Sequence, residues 1–185
     1  MRRCLVLILL LVAMGHALAQ QAPSRRNWFD DPFFQISSGV PNCPLPAGPF
    51  ITEDEKRVQA HHRAERGTTC WLSGQCDRPN FYAYDADIAQ ALKAALQTKS
   101  VELKNTTLWV TVQGRVVYIE GCARGARVAP QMEGLARSVP NVQQAIAAVY
   151  AGPPVRAPYK RLDEPKSASA GSVRDPGPAR RALRY

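Results

Sequence analysis

The side chains best suited to chemistry are Cys43, Cys70, Cys76 and Cys122, the adjacent pair His61–His62, and the adjacent acids Asp30–Asp31. Cys70 and Cys76 with either histidine could in principle bind zinc. Five residues separate the two cysteines, wider than the usual zinc-ligand spacing of about two to four. His61 and His62 are helix neighbours, whose side chains diverge by about 100°, so both cannot readily face one ligand. Asp30–Asp31 stands just before Pro32 and reads as turn chemistry. No serine lies in a nucleophile-elbow motif, and Gly121–Cys122–Ala123–Arg124–Gly125 follows a strand without the spacing of a phosphate-cradling loop. The sequence therefore predicts no catalytic residue, metal or cofactor, and a protein that is not an enzyme.

Compartment decides what the cysteines do. Met1–Arg2–Arg3 is a charged start, Cys4 to Met14 an apolar run, and Ala17–Leu18–Ala19 a small-residue cleavage site. That is the pattern of a secretory signal peptide over residues 1–19. The run is too short to cross a bilayer, and no other apolar stretch approaches the roughly 20 residues a spanning helix needs, so no transmembrane segment is expected in the mature chain. Export also excludes a cytosolic enzyme and makes nucleic acid a poor partner. Cys4 leaves with the signal, and four cysteines remain. In an oxidising compartment they make two disulfides with three possible pairings. If all four pair, Cys122 must bond a cysteine that precedes the last domain, so at least one bridge staples the N-terminal region to it. Cys70–Cys76 with Cys43–Cys122 is marginally favoured, because the short loop closes cheaply.

The elements that position these residues fall into three regions. Residues 20–84 form an N-terminal extension containing Trp28, Phe29, Phe33 and Phe34, then Pro41, Pro44, Pro46 and Pro49, which forbid a helix. Thr52 and Glu55 have capping-box spacing and start a helix to about Arg66, stopped by Gly67. Its one large apolar side chain, Val58, predicts weak packing, and Trp71–Gln75 reads as a loop. Residues 85–150 are the most regular part. Asp85 can cap a helix with Ile88, Leu92 and Leu96 on one face. Leu108 to Val112 and Val117 to Ile119 alternate as a hairpin. A second helix begins near Pro130, and a closing strand spans Val142 to Val149. The prediction is an α+β fold, α-β-β-α-β, with two helices on a three-stranded sheet. Residues 151–185 hold eight basic and three acidic side chains and six prolines, and read as a disordered basic tail.

The regular unit resembles a BON domain, the module of osmotically inducible periplasmic and envelope proteins of Gram-negative bacteria. Val117–Tyr118–Ile119–Glu120–Gly121 is similar to the family's hairpin, and Ala136–Arg137–Ser138–Val139–Pro140–Asn141–Val142 to its helix exit. Two departures mark a divergent member. Gly114 lies one residue too far from Gly121, implying a longer or bulged turn, and Asn141 replaces a glycine, which asparagine can do in the left-handed region. Asn105–Thr106–Thr107 fits a glycosylation acceptor, but in such a protein it reads as a polar loop. The resemblance implies a non-enzymatic periplasmic protein, peripheral to a membrane, that contacts anionic phospholipid. The family has no invariant ligand residues. From this sequence, the candidate lipid contacts are Arg115, Arg124 and Arg127 around the hairpin, with Arg180, Arg181 and Arg184 in the tail, because cations near an anionic surface attract head groups. The alternatives are a structural or adaptor protein that binds another envelope or secretion-system protein, and a chaperone-like periplasmic stress protein.

Overall fold

The structure, a computed structural model, describes residues 23–97, 103–151 and 157–164. The signal peptide read over 1–19 lies outside the described residues. Strands β1 (Arg26–Asn27) and β3 (Phe50–Ile51) form a two-stranded ribbon, and β2 (Phe33–Ser38) lies between them in sequence. Helix α1 (Glu53–Glu65) begins with the expected capping box. The Thr52 amide donates to the Glu55 carboxylate at 2.9 Å, and the Glu55 amide to Thr52 Oγ1 at 3.3 Å. No residue of α1 is buried, in keeping with its missing apolar stripe. The stretch read as a loop around Trp71 contains a short helix instead, α2 (Thr68–Leu72), held by backbone bonds closed within the Cys70–Cys76 loop.

Helix α3 (Asp85–Gln97) buries Ile88, Leu92 and Leu96 along its predicted stripe. Asp85 does not cap it. Asn80 caps a preceding 3-10 turn, Phe81–Tyr84, through its side-chain oxygen, and Asp85 is free to face the hairpin turn. That hairpin is β4 (Thr106–Gln113) and β5 (Val116–Ala123), paired without interruption from Thr106↔Ala123 to Gln113↔Val116. The turn is therefore two residues and carries no bulge, correcting the longer turn expected. Gly114 and Arg115 both adopt positive φ, 59° and 66°, as the tight turn that matches strand twist requires. The Asp85 carboxylate makes this affordable for an arginine: it accepts the Gly114 and Arg115 amides at 2.6 and 2.8 Å. Asn141 is left-handed as expected, with φ 68°.

Helix α4 (Val128–Arg137) holds Pro130 in its first turn and leads into β6 (Gln144–Ala151), which runs parallel to β5. The fold is α+β, but the sheet has four strands in the order β2-β4-β5-β6. The extension contributes the fourth: β2 pairs antiparallel with β4, with an irregularity between Gln35 and Ser37. The sequence placed Phe33 and Phe34 in an aromatic cluster, because alternation over so short and polar a stretch is faint.

The core lies between the helices and the sheet, where Ile88, Leu92, Leu108, Val110, Ile119 and Met132 meet. The other sheet face is also covered. Trp109 and Thr111, 8 and 3% exposed, lie under the extension, which the Cys43–Cys122 disulfide fixes to β5. Residues 157–164 add to that cover, correcting their place in a disordered tail. Tyr159 is buried, stacks on Tyr150 and donates its hydroxyl to Pro44 O at 2.7 Å. The Ala47 amide donates to Lys160 O and the Leu162 amide to Leu45 O, giving partners to backbone that the surrounding prolines cannot satisfy locally. The tail from residue 165 onward, with Arg180, Arg181 and Arg184, lies outside the described residues.

Candidate functional site

The two ends of the sheet differ in character. At the hairpin-turn end, charges are consumed by structure. Arg115 donates to Asn141 O at 2.7 Å, and its guanidinium lies 4.7 Å from the Tyr84 ring centroid and 5.2 Å from that of Phe81. Asp31 is buried and splits from its neighbour Asp30. It accepts from Arg63 in a two-pronged pair and from Gln113 Nε2 at 2.6 Å. Arg63 is itself held between the rings of Phe29 and Tyr82, at 4.1 and 3.7 Å. This pair docks α1, which has no apolar face to do so. Burial pushes the Asp85 carboxyl up to about 6, against the two backbone amides that lower it.

The opposite end gathers cations. The Arg124 amide donates to Asn105 O at 3.0 Å and the Gly39 amide to Thr106 O at 2.6 Å, so the loops carrying Lys104, Arg124 and Arg127 meet there. All three side chains are exposed, and among the described residues none forms an ion pair. Next to them an open groove of about 700 Å³ runs between β2 and the C-terminal half of α3. Phe34, Ile36, Leu96 and Leu103 line its apolar side, and Lys93 and Lys104 its rim, with no carboxylate among the described lining residues. Lys93 Nζ sits 4.4 Å from the Phe34 ring centroid.

The candidate arginines are therefore divided. Arg124 and Arg127 lie at the cationic end, whereas Arg115 precedes β5 and lies at the other. An eight-residue strand separates them, roughly 25 Å at about 3.3 Å per residue. Lys93 and Lys104 were missed by sequence reasoning. Lys93 directly follows Leu92 on the apolar stripe of α3, and that border position was the available signal. Asn105–Thr106–Thr107 is not a loop throughout, since Thr106 and Thr107 begin β4 and are 0 and 5% exposed.

The remaining candidates have other occupations. His61 and His62 are exposed on α1, with His61 Nε2 3.3 Å from Glu65. Cys43 pairs with Cys122 and Cys70 with Cys76, the pairing favoured on loop length. On the sheet face toward the extension, burial raises the Glu120 carboxyl to about 7.

Two helices on one face of a mixed sheet, with a parallel β-α-β closure and a groove at one end, define a small α+β domain. Residues 84–148 match the family model of the BON domain, so this segment of the chain is a BON domain. It begins at the last residue of the 3-10 turn and ends within β6. The ribbon, β2, α1 and α2 all lie outside the match. No curated protein matches the chain.

Proposed function

We propose that this chain is a non-enzymatic periplasmic protein of the cell envelope whose BON domain contacts anionic phospholipid through its cationic end. The observation that carries this reading is the convergence of exposed Lys104, Arg124 and Arg127 beside a groove rimmed by Lys93 and Lys104. Each cation held near an anionic surface contributes on the order of 1 kcal/mol. Three on one face are enough for reversible, salt-sensitive association. The reading also enlists Arg180, Arg181 and Arg184 of the tail, while Arg115 takes no part. The mature chain, starting at residue 20, should sediment with vesicles containing anionic lipid at low salt and come off as salt rises, because screening shortens the reach of surface charge. Reversing Lys104, Arg124 and Arg127 to glutamate should abolish retention. Equal retention on neutral vesicles would refute the reading.

A second reading, an adaptor for another envelope or secretion-system protein, draws support from Trp71 and Leu72. They are 43 and 78% exposed on the loop that Cys70–Cys76 closes, at the end away from the cations. Exposed aromatic and aliphatic side chains on a rigid support mark protein contacts. In-envelope crosslinking from position 72 discriminates: a discrete protein adduct favours the adaptor, and its absence alongside vesicle binding favours lipid.

A further inference from the structure

The fourth strand creates a feature that the matched segment alone does not have. Helix α3 lies over β4 and α4 lies over β5 and β6. Phe34 and Ile36 of β2 project toward this helix layer and reach the core cluster, yet both remain half-buried. They form one wall of the groove, with Leu96 and Leu103 opposite. The groove is open, of about 700 Å³, with four apolar side chains along one side and polar groups at the rim, a mixed lining that suits an amphiphile. Among the described residues its rim carries two ammonium groups and no carboxylate, so the charge that complements these groups is negative. Ser38 and Gln97 add neutral polar groups to the same lining, while the Ser37 hydroxyl is taken by Thr106 Oγ1 and the Leu108 amide.

We propose that this groove takes the acyl chain of a single anionic amphiphile, with its carboxylate or phosphate head at Lys93 and Lys104. The inference rests on the lipid reading above and narrows it, from contact with a membrane surface to capture of one molecule. The chain end lies against Phe34, Ile36, Leu96 and Leu103. The head accepts charge-assisted hydrogen bonds from the lysines, which are stronger than neutral ones. Because β2 belongs to the extension, the site is built jointly by the extension and the BON domain.

Calorimetric titration of the oxidised mature chain with octanoate and decanoate, both below their micellar concentrations, tests this. A single saturable site is expected. Each buried methylene improves affinity by roughly fourfold, so decanoate should bind at least about tenfold tighter than octanoate. Lys93→Glu with Lys104→Glu should weaken decanoate by about tenfold or more while leaving decanol unchanged. Ile36→Trp, which fills the trough from a half-buried position, should remove binding of both. Should Ile36→Trp lower the thermal midpoint, the lysine pair on the surface decides alone. Equal affinity for octanoate and decanoate, or lysine variants that bind decanoate normally, would overturn the proposal. Decyl phosphate in place of decanoate reports which head group is preferred. Vesicle sedimentation separates the two readings. A chain that binds anionic vesicles but no decanoate keeps the surface contact and loses the groove. One that binds decanoate but no vesicles keeps the groove and loses the surface contact.

Discussion

Removing the two disulfides separately should cost very different amounts, in an order set by the loops they close. Cys43–Cys122 spans 79 residues and Cys70–Cys76 spans six. Restricting the unfolded chain by a loop of that length is worth about 4.5 kcal/mol for the long bridge and about 2 kcal/mol for the short one. Cys122 is only 2% exposed, so its truncation also removes packing against the sheet. The long bridge has a further structural consequence. It is the covalent link between the extension and β5, while Tyr159, docked on Pro44 O, depends on the segment that Cys43 anchors. Urea unfolding of Cys43→Ala/Cys122→Ala and of Cys70→Ala/Cys76→Ala, each against the oxidised parent, measures both terms. Hydrogen exchange should locate the first loss at Trp109, Thr111 and Val116, on the face the extension covers, with the amides of α3 still protected. A short-bridge variant as damaged as the long-bridge variant would refute the loop argument. Uniform loss of protection across α3 and β5 would refute the claim that the extension is a separately held layer.

Three further outcomes follow from buried charge and close backbone contact. Burial raises Glu120 to about 7, so its ionised form is disfavoured in the folded state and the destabilisation is present in full above pH 7. Stability should rise as pH falls from 7 toward 4.5, and Glu120→Gln should stabilise by about 1–2 kcal/mol at pH 8 and little at pH 5, the side chain being only partly withdrawn from water. Asp85, raised to about 6 by burial, acts in the same direction at lower pH. Asp31→Ala leaves the largely enclosed Arg63 guanidinium between two rings without its carboxylate, and should cost about 3–5 kcal/mol in chemical denaturation, with Arg63→Met on the same background recovering part of it. Gly121 has φ 145°, and a Cβ there would lie 2.1 Å from Thr107 O, so Gly121→Ala should shift the β4–β5 pairing and lower the thermal midpoint by at least several degrees.

The BON unit was legible because its signals are local. The three- and four-residue spacing of Ile88, Leu92 and Leu96, and the alternation of Leu108, Val110 and Val112, survive into the core unchanged. What failed depended on distant partners. The extension buries Trp109 and Thr111, and no period within β4 encodes a cover supplied some 60 residues earlier. β2 reads as aromatic residues followed by polar ones because an edge strand over a partly covered face needs only two apolar contacts on that side. Tyr159 sits among prolines and charges whose composition argues for disorder, and one buried ring with three backbone or hydroxyl bonds outweighs that average. The candidate site was half legible. Arg124 and Arg127 were marked by charge after a strand. Lys93 and Lys104 gain meaning only when β2 builds a wall opposite them, and Arg115 loses it when Tyr84, Phe81 and Asn141 take up its guanidinium.

Because β2 supplies that wall, the groove's existence depends on what holds the extension in place. α1 contributes no buried residue, and its docking rests on the Arg63–Asp31 pair rather than on apolar area. The strap at 157–164 is short. The Cys43–Cys122 bridge is the covalent term that keeps the extension against the sheet, beside the β2–β4 pairing, and it persists only in an oxidising compartment. Reduction should remove decanoate binding at denaturant concentrations where α3 and the β4–β5 hairpin remain folded, since their core lies on the opposite sheet face. Titrating decanoate with and without a reductant, while following α3 by hydrogen exchange, reads both events at once. If binding survives reduction until the helices themselves unfold, β2 is held by its pairing with β4 alone, and the extension is an integral strand of the domain.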